Sequence, residues 1–233
     1  MKRVLLALAG ILLIAASSPG VMLLPNPRVC AEYFKSEAVF SGKVLSVTNV
    51  DTVIDGEKFC AGYRYRLKMY RVFRGPQTNS IEIFINNDSG RYLMDVGKEY
   101  LLFAYRESDY LTIYCYGNSC LLSEAKKKIR ELGEIPKRDH GEVEGLVGPE
   151  PGLANVRVTI VGKDISYSAL TDSTGYFRVR VKPGHYKAVI EPQRIDSRTY
   201  EFSAYDLSYD DPNSFSVPKG GCAEIAISAL FKK

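Results

Sequence analysis

Few residues in this chain are equipped for catalysis or metal binding at neutral pH. There are two histidines, His140 and His185, and five cysteines, Cys30, Cys60, Cys115, Cys120 and Cys222. Zinc peptidases set two histidines one helical turn apart with a glutamate between them, and neither histidine here has such a neighbour. No two cysteines form a C-x-x-C pair, so zinc ribbons and thioredoxin-type redox pairs are absent. A serine nucleophile of the G-x-S-x-G type is also missing. Asp172 and the Asp210-Asp211 pair are the acidic groups placed for calcium, but the EF-hand ligand pattern does not surround them. Capping of tight turns is the simpler role for these aspartates. The expectation is a protein with no catalytic, cofactor-binding or metal-binding residue, and not an enzyme.

Composition narrows the partners. The 31 basic and 27 acidic residues leave a formal net charge of +4, with no compact basic stripe, which argues against nucleic-acid binding. A hydrophobic fraction of 45% and a charged fraction of 25% belong to a folded protein. Sixteen tyrosines and no tryptophan suit strands, where an aromatic ring packs on a pleated surface. They also suit contact with proteins or sugars.

The first residues give an address. Lys2 and Arg3 precede an uncharged apolar run over 4–16, and Ser17, Ser18, Pro19 and Gly20 follow. That is the layout of a secretory signal peptide over 1–20, with Ala15 and Ser17, or Ser18 and Gly20, as the small residues at the cleavage site. The alternative is an uncleaved anchor, since 4–24 carries no charge and approaches the ~20 residues that span a bilayer. Pro19 and Gly20 interrupt the run and favour cleavage. The chain is therefore expected to be secreted, periplasmic or at the cell surface, touching membrane only if this segment stays attached. Export permits disulfides, and five cysteines leave at least one unpaired within the chain.

The rest reads as strands and one helix. Segments 38–47, 59–73, 80–86, 99–105 and 110–116 carry strand patterns, with a polar turn over 48–58 that contains Asp55-Gly56. Within 59–73, Arg64, Arg66, Lys68 and Arg71 lie between Tyr63, Tyr65, Leu67 and Met69 and read as the wet face of a strand. Leu121, Leu122, Ala125, Ile129 and Leu132 repeat at helical spacing, and Gly133 marks the end of a helix over 121–132. A polar stretch with Pro136 forms a linker over 134–141. Seven strand patterns follow, at 142–147, 156–161, 167–171, 175–181, 185–190, 199–202 and 223–230, with turn signals about every ten residues. The fold class is mainly β: a five-stranded OB-fold-like barrel with a C-terminal helix over 21–133, then a seven-stranded sandwich over 142–233.

The first of these units resembles the netrin-like module, the OB-fold domain of tissue inhibitors of metalloproteinases and related secreted proteins. The resemblance rests on AVFSGKV from Ala38, YRVFRG from Tyr70, GKEYLLFA from Gly97, LTIYC from Leu111 and the trailing helix. Ser89-Gly90 stands where the family usually has Cys-Gly, and the family's N-terminal double cysteine is reduced to Cys30. The resemblance implies a Cys30–Cys115 disulfide. Cys60 and Cys120 would then form a second pair, leaving Cys222 unpaired as a small buried side chain. The second unit resembles the carboxypeptidase regulatory-like domain, a transthyretin-like sandwich. Here the carriers are GEV from Gly141, GLANVRVTI from Gly152, TDSTGYF from Thr171 and VKPGHY from Val181. Such domains accompany peptidases but hold no catalytic zinc.

These readings imply an exported, non-enzymatic binding protein whose partner is an extracellular or cell-envelope protein or glycan. One alternative is a secreted protease inhibitor acting through the netrin-like unit. Those inhibitors chelate zinc with the amine of an N-terminal cysteine, but Pro27 and Val29 before Cys30 do not suit signal peptidase. The other alternative is a carbohydrate-binding module with a row of exposed aromatics, Tyr176, Tyr186 and Tyr200.

Overall fold

A computed structural model describes residues 28–148, 152–190, 193–195, 198–206 and 214–231. The signal-peptide reading over 1–20 lies outside these residues.

A short helix, α1 (Val29–Lys35), precedes the first strands, β1 (Ala38–Ile54), β2 (Glu57–Arg74), β3 (Ser80–Asn86), β4 (Glu99–Glu107) and β5 (Tyr110–Thr112). They pair in the order β3-β2-β1-β4-β5. The barrel is near-closed, with β3 approaching β5 through side chains. There the Phe84 ring stands edge-on to Tyr110 at 5.1 Å, and Asn86 Nδ2 donates to the Tyr110 hydroxyl at 3.3 Å. Phe40, Val44, Leu67, Ile83, Ile85 and Leu102 fill the interior. In β1 and β4 the next residues along, Val39, Leu101 and Phe103, point out of the barrel and are buried as well. The continuous apolar run LLFA is thus a strand covered on both faces.

β1 and β2 are longer than their sequence patterns. Pairing continues to Ile54–Glu57, where Asp55 and Gly56 both take positive φ (53° and 84°) in a two-residue turn. A turn of that kind matches the twist of a hairpin and holds the strands together beyond the barrel. β5 ends early, because the chain turns after Ile113 to bring Asn118 to α1.

A two-residue strand, β6 (Cys120–Leu121), pairs with β4 and leads through a 3-10 turn (Leu122–Glu124) into α2 (Lys126–Glu134). The helix starts later than its apolar stripe, after the 3-10 turn, and neither N-cap residue, Leu121 or Ala125, supplies a side-chain cap. It runs through Gly133, since the stripe continues to Ile135, which is only 1% exposed. Residues 134–141, expected as a linker, carry short regular elements. They hold the end of α2 and a second 3-10 turn (Ile135–Lys137), and the next strand begins at Gly141.

The remaining strands are β7 (Gly141–Gly148), β8 (Arg157–Val161), β9 (Ser166–Leu170), β10 (Tyr176–Val181), β11 (Gly184–Val189), β12 (Gln193–Ile195), β13 (Arg198–Asp206), β14 (Phe215–Val217) and β15 (Cys222–Phe231). They form two sheets, β10-β7-β15-β13-β12 and β14-β11-β8-β9. All seven expected segments are strands, and the three-residue β12 and β14 extend the sheet edges. Val143, Val147, Phe177, Ile225 and Ile227 from one sheet meet Val158, Ile160, Tyr186, Phe215 and Val217 from the other. The Asp172 carboxylate accepts from the backbone N–H groups of Thr174 and Tyr176, the turn-capping role expected of it.

The disulfide pattern differs from the one the netrin-like resemblance implied. Cys30 pairs with Cys222, across 192 residues, and not with Cys115. α1 docks on the outer face of the larger sandwich sheet, where the alternation of β15 also places Cys222, whereas Cys115 lies exposed on the loop after β5. Cys222 is therefore not the unpaired cysteine. Cys60 and Cys120 are both free. Cys60 sits on the hairpin beyond the barrel, while Cys120 packs beside α2, so no bridge joins them.

Thiol titration tests this pattern. The unfolded, unreduced chain is expected to show three thiols, and a single thiol would restore the earlier pairing. Cys222→Ser is expected to lower stability by about 2–5 kcal/mol in urea melts, since the bridge closes a very long loop.

Candidate functional site

The structure offers two places to look for function: the seam where α1 joins barrel to sandwich, and the hairpin that leaves the barrel.

The seam follows from strand alternation. In β7, Val143 and Val147 face the sandwich core, so Glu142 and Glu144 face out. β15 runs parallel to β7 with Cys222 beside Glu142 and Glu224 beside Glu144. Three glutamates and a cysteine thus share one patch, which α1 covers. The Arg28 guanidinium donates to Glu142 and Glu144, both at 2.9 Å, and the Arg28 backbone N–H donates to Glu224 at 2.9 Å. Arg178 of β10 donates to Glu142, and the Tyr176 hydroxyl donates to Glu144. Beside this polar group lies an apolar one. Val29, Cys30 and Ala31 of α1 pack with Val39, Leu101, Phe103, Leu132, Ile135 and Cys222. Gly220 makes the packing possible: with φ at 75° it brings its backbone against Ile135, where a β-carbon would clash.

Charges in the seam pull in opposite directions. Burial pushes the Glu142 carboxyl up, but hydrogen bonds from Arg178 and Arg28 outweigh it and hold the group below the usual range. Burial pushes Glu224 up, and the Arg28 N–H bond offsets this only in part. Burial and the Glu144 carboxylate raise the Tyr176 hydroxyl to about 12, so it stays a donor at neutral pH. On the barrel side, Glu32 of α1 is fully buried. It accepts from the Tyr105 hydroxyl at 2.7 Å and from the backbone N–H and side-chain amide of Asn118, each at 2.6 Å. Burial still leaves its carboxyl raised above the ordinary value. These groups are fully partnered within the fold, so the seam's chemistry is that of a joint.

The hairpin is the opposite case. Among the described residues, β1 past Lys43 has no strand partner but β2, and β2 before Gly62 has none but β1. Leu45, Val47, Val53, Ile54 and Phe59 are all exposed there, Val53 by 68%. Arg64, Arg66 and Lys68 of β2 face outward, because Tyr65, Leu67 and Met69 between them enter the barrel core. Lys43, Ser46 and Thr48 of β1 lie opposite Lys68, Arg66 and Arg64 on this outer face. Among the described residues, no ion pair engages these three or Lys43. The sequence pattern marked the basic residues as a wet strand face. It did not show that apolar residues stand exposed beside them.

The other candidates resolve individually. His140 sits beside Asp139 at 2.9 Å on the exposed stretch before β7, and His185 Nδ1 meets the Ser216 hydroxyl at 2.8 Å. No group of three or more His, Cys, Asp or Glu residues is placed to hold a metal among the described residues. Tyr186 is buried in the sandwich core and Tyr176 is bound to Glu144, so these two do not form an exposed aromatic row. The Tyr200 side chain lies outside the described set. Cys30 is fully buried in the seam, and Arg28 before it is held by Glu224, so its amide nitrogen is not available to a metal.

No family model matches the chain, and no curated protein matches it. Among solved structures, the major pilin protein (T3.2) from Streptococcus pyogenes serotype GAS13637 aligns over 83% of this chain and 91% of its own at 9% identity. The TM-score is 0.16, a level at which two backbones need share no fold.

The seam's charges predict its pH response. Glu142 has a depressed folded pKa, so its contribution is present above the unfolded value near 4.5 and is lost as pH falls through the folded one. Glu224 is raised, so its cost appears as pH rises from about 4.5 through the folded value. In urea melts from acid to neutral pH, Glu142→Gln should weaken the protein at neutral pH, with the deficit shrinking in acid. Glu224→Gln should remove part of the decline that the parent shows on the rise toward neutrality.

Proposed function

We propose that this chain is an exported, non-enzymatic protein that works by contact with another protein, outside the cytoplasm or at the cell envelope. The observation that carries this reading is the hairpin, where apolar side chains and unpaired cations stand exposed together. Apolar groups gathered beside charges on a free surface are typical of recognition sites. Two features agree with it. Asp172 caps a turn and Cys30 and Cys222 are joined in the seam, and the Cys30–Cys222 bridge suits an oxidising compartment. The finer identities follow the sequence resemblances: a netrin-like barrel and a carboxypeptidase regulatory-like sandwich, delivered by a cleaved signal over 1–20. Zinc-protease inhibition and glycan binding are disfavoured by the burial of Cys30 and Tyr186.

Site-specific photo-crosslinking on the producing cell tests this. A crosslinker at Phe59 on the hairpin is expected to trap an exported or envelope protein, while one at Ser173 on the sandwich turn is expected to trap nothing. Retention of intact Met1 on a cytoplasmic product would overturn the export reading, and absence of any adduct at Phe59 would overturn the contact reading.

A further inference from the structure

We propose that the free edge of β1 receives an extended polypeptide strand whose side chains alternate acidic and apolar. This rests on the reading that the protein acts through its hairpin, and it states how that hairpin binds. β4 stops pairing at Lys43, after which Val44 exchanges backbone hydrogen bonds with Gly97 and Lys98 and the neighbouring chain departs. Among the described residues, the backbone from Leu45 to Ile54 is thereafter bonded to β2 alone. An open edge of this kind is a template for another strand, and proteins usually defend it with lysine, proline or a cover. Here the edge has no proline, arginine or lysine, and its one charge, Asp51, is taken by Lys58 at 2.8 Å. Shifts in register at Val44/Ser46 and Val50/Asp51 bound an unbroken stretch over 46–50, enough for a short added strand.

The two faces of that stretch set the occupant's chemistry. On the outer face β1 presents the short hydroxyls of Ser46 and Thr48, directly opposite Arg66 and Arg64, and then Val50 opposite Gly62. A strand added to β1 would lie roughly 10 Å from β2, two strand spacings away. Arginine side chains crossing above Ser46 and Thr48 would meet its outer residues, and carboxylates there would accept from two guanidinium groups. Glu82 of β3, opposite Arg66, forms no ion pair with it, so the outer face keeps a positive excess. On the inner face Val47 lies opposite Tyr65 yet is 40% exposed, and an apolar residue on the added strand would cover it. A second copy fits poorly. Two β1 edges paired antiparallel would set both rows of Arg64, Arg66, Lys68 and Lys43 on one face of a shared sheet.

The test uses the full exported chain and a fluorescent peptide alternating glutamate and valine. The peptide is expected to bind, to bind less well as salt shortens the screening length below about 8 Å, and to lose binding when N-methylated along its edges. Arg64→Glu/Arg66→Glu is expected to weaken binding roughly tenfold, with an unchanged melting temperature as the check on folding. Should that variant unfold, Val47→Lys places a charge against the apolar side of the added strand and is expected to weaken the same peptide. No binding at millimolar peptide, equal binding of a lysine–valine peptide, or indifference to N-methylation would each overturn the proposal. So would binding of anionic vesicles in place of the peptide, or self-association by sedimentation that the edge variants abolish. An adduct retained at Phe59 without peptide binding would sink the added strand alone, whereas loss of both would sink the contact reading as well.

Discussion

The fold depends on how α1 is held against the sandwich. Three carboxylates on neighbouring strands, taken out of water together, would repel one another and carry a large desolvation penalty. Arg28 and Arg178 offset it, with Tyr176 supplying a further hydrogen bond. A buried ionic group of this kind adds little net stability, but it accepts one geometry and penalises others. Next to it the cystine fixes the same helix covalently, and the apolar residues of α1 and α2 seal the joint. Position, charge and covalent linkage all act on seven residues of helix. α1 thus joins barrel to sandwich at a second place besides the short turn at Ile135–Lys137.

Alternation and turn chemistry made most of the strands legible. Asp55-Gly56, Asp172 to Gly175 and Pro183-Gly184 stand where the chain reverses, and the sandwich's seven main strands follow from such signals, whereas the barrel's order of strands does not. What periodicity does not tell is which of two faces becomes covered. The segment 142–147 carries a strand pattern, and β7 alternates as a strand should, with Glu142 and Glu144 on the face away from Val143 and Val147. The face is covered because a helix from the far end of the chain lies on it. α1 itself, seven residues long, is too short for a helical repeat to announce it. The partner of Cys30 was obscured for the same reason, since a tertiary contact across 192 residues leaves no local mark.

The hairpin was hidden by a different circumstance. Strand patterns are visible when one face is buried, and in β1 past Val44 neither face is. The segment over 48–58 is polar and turn-like in composition, yet it is held extended by backbone pairing and by one well-suited turn. Arg64 and Arg66 could be seen in the sequence, but that no ion pair engages them among the described residues, even with Glu82 opposite Arg66, could not. The candidate surface was thus half legible: its charges were, and its exposed apolar residues and open edge were not.

The cystine has a mechanical consequence. Tension applied between residue 28 and the end of β15 passes from Cys30 through the sulfur bridge to Cys222, then along the last strand. The 191 residues between the two cysteines lie on a closed side loop and carry none of that load. The barrel, its hairpin and most of the sandwich are therefore sheltered from a pull between those two points. Only the start of α1 and the pairing of β15 with its neighbours resist it, and the hairpin keeps its shape while those parts are loaded.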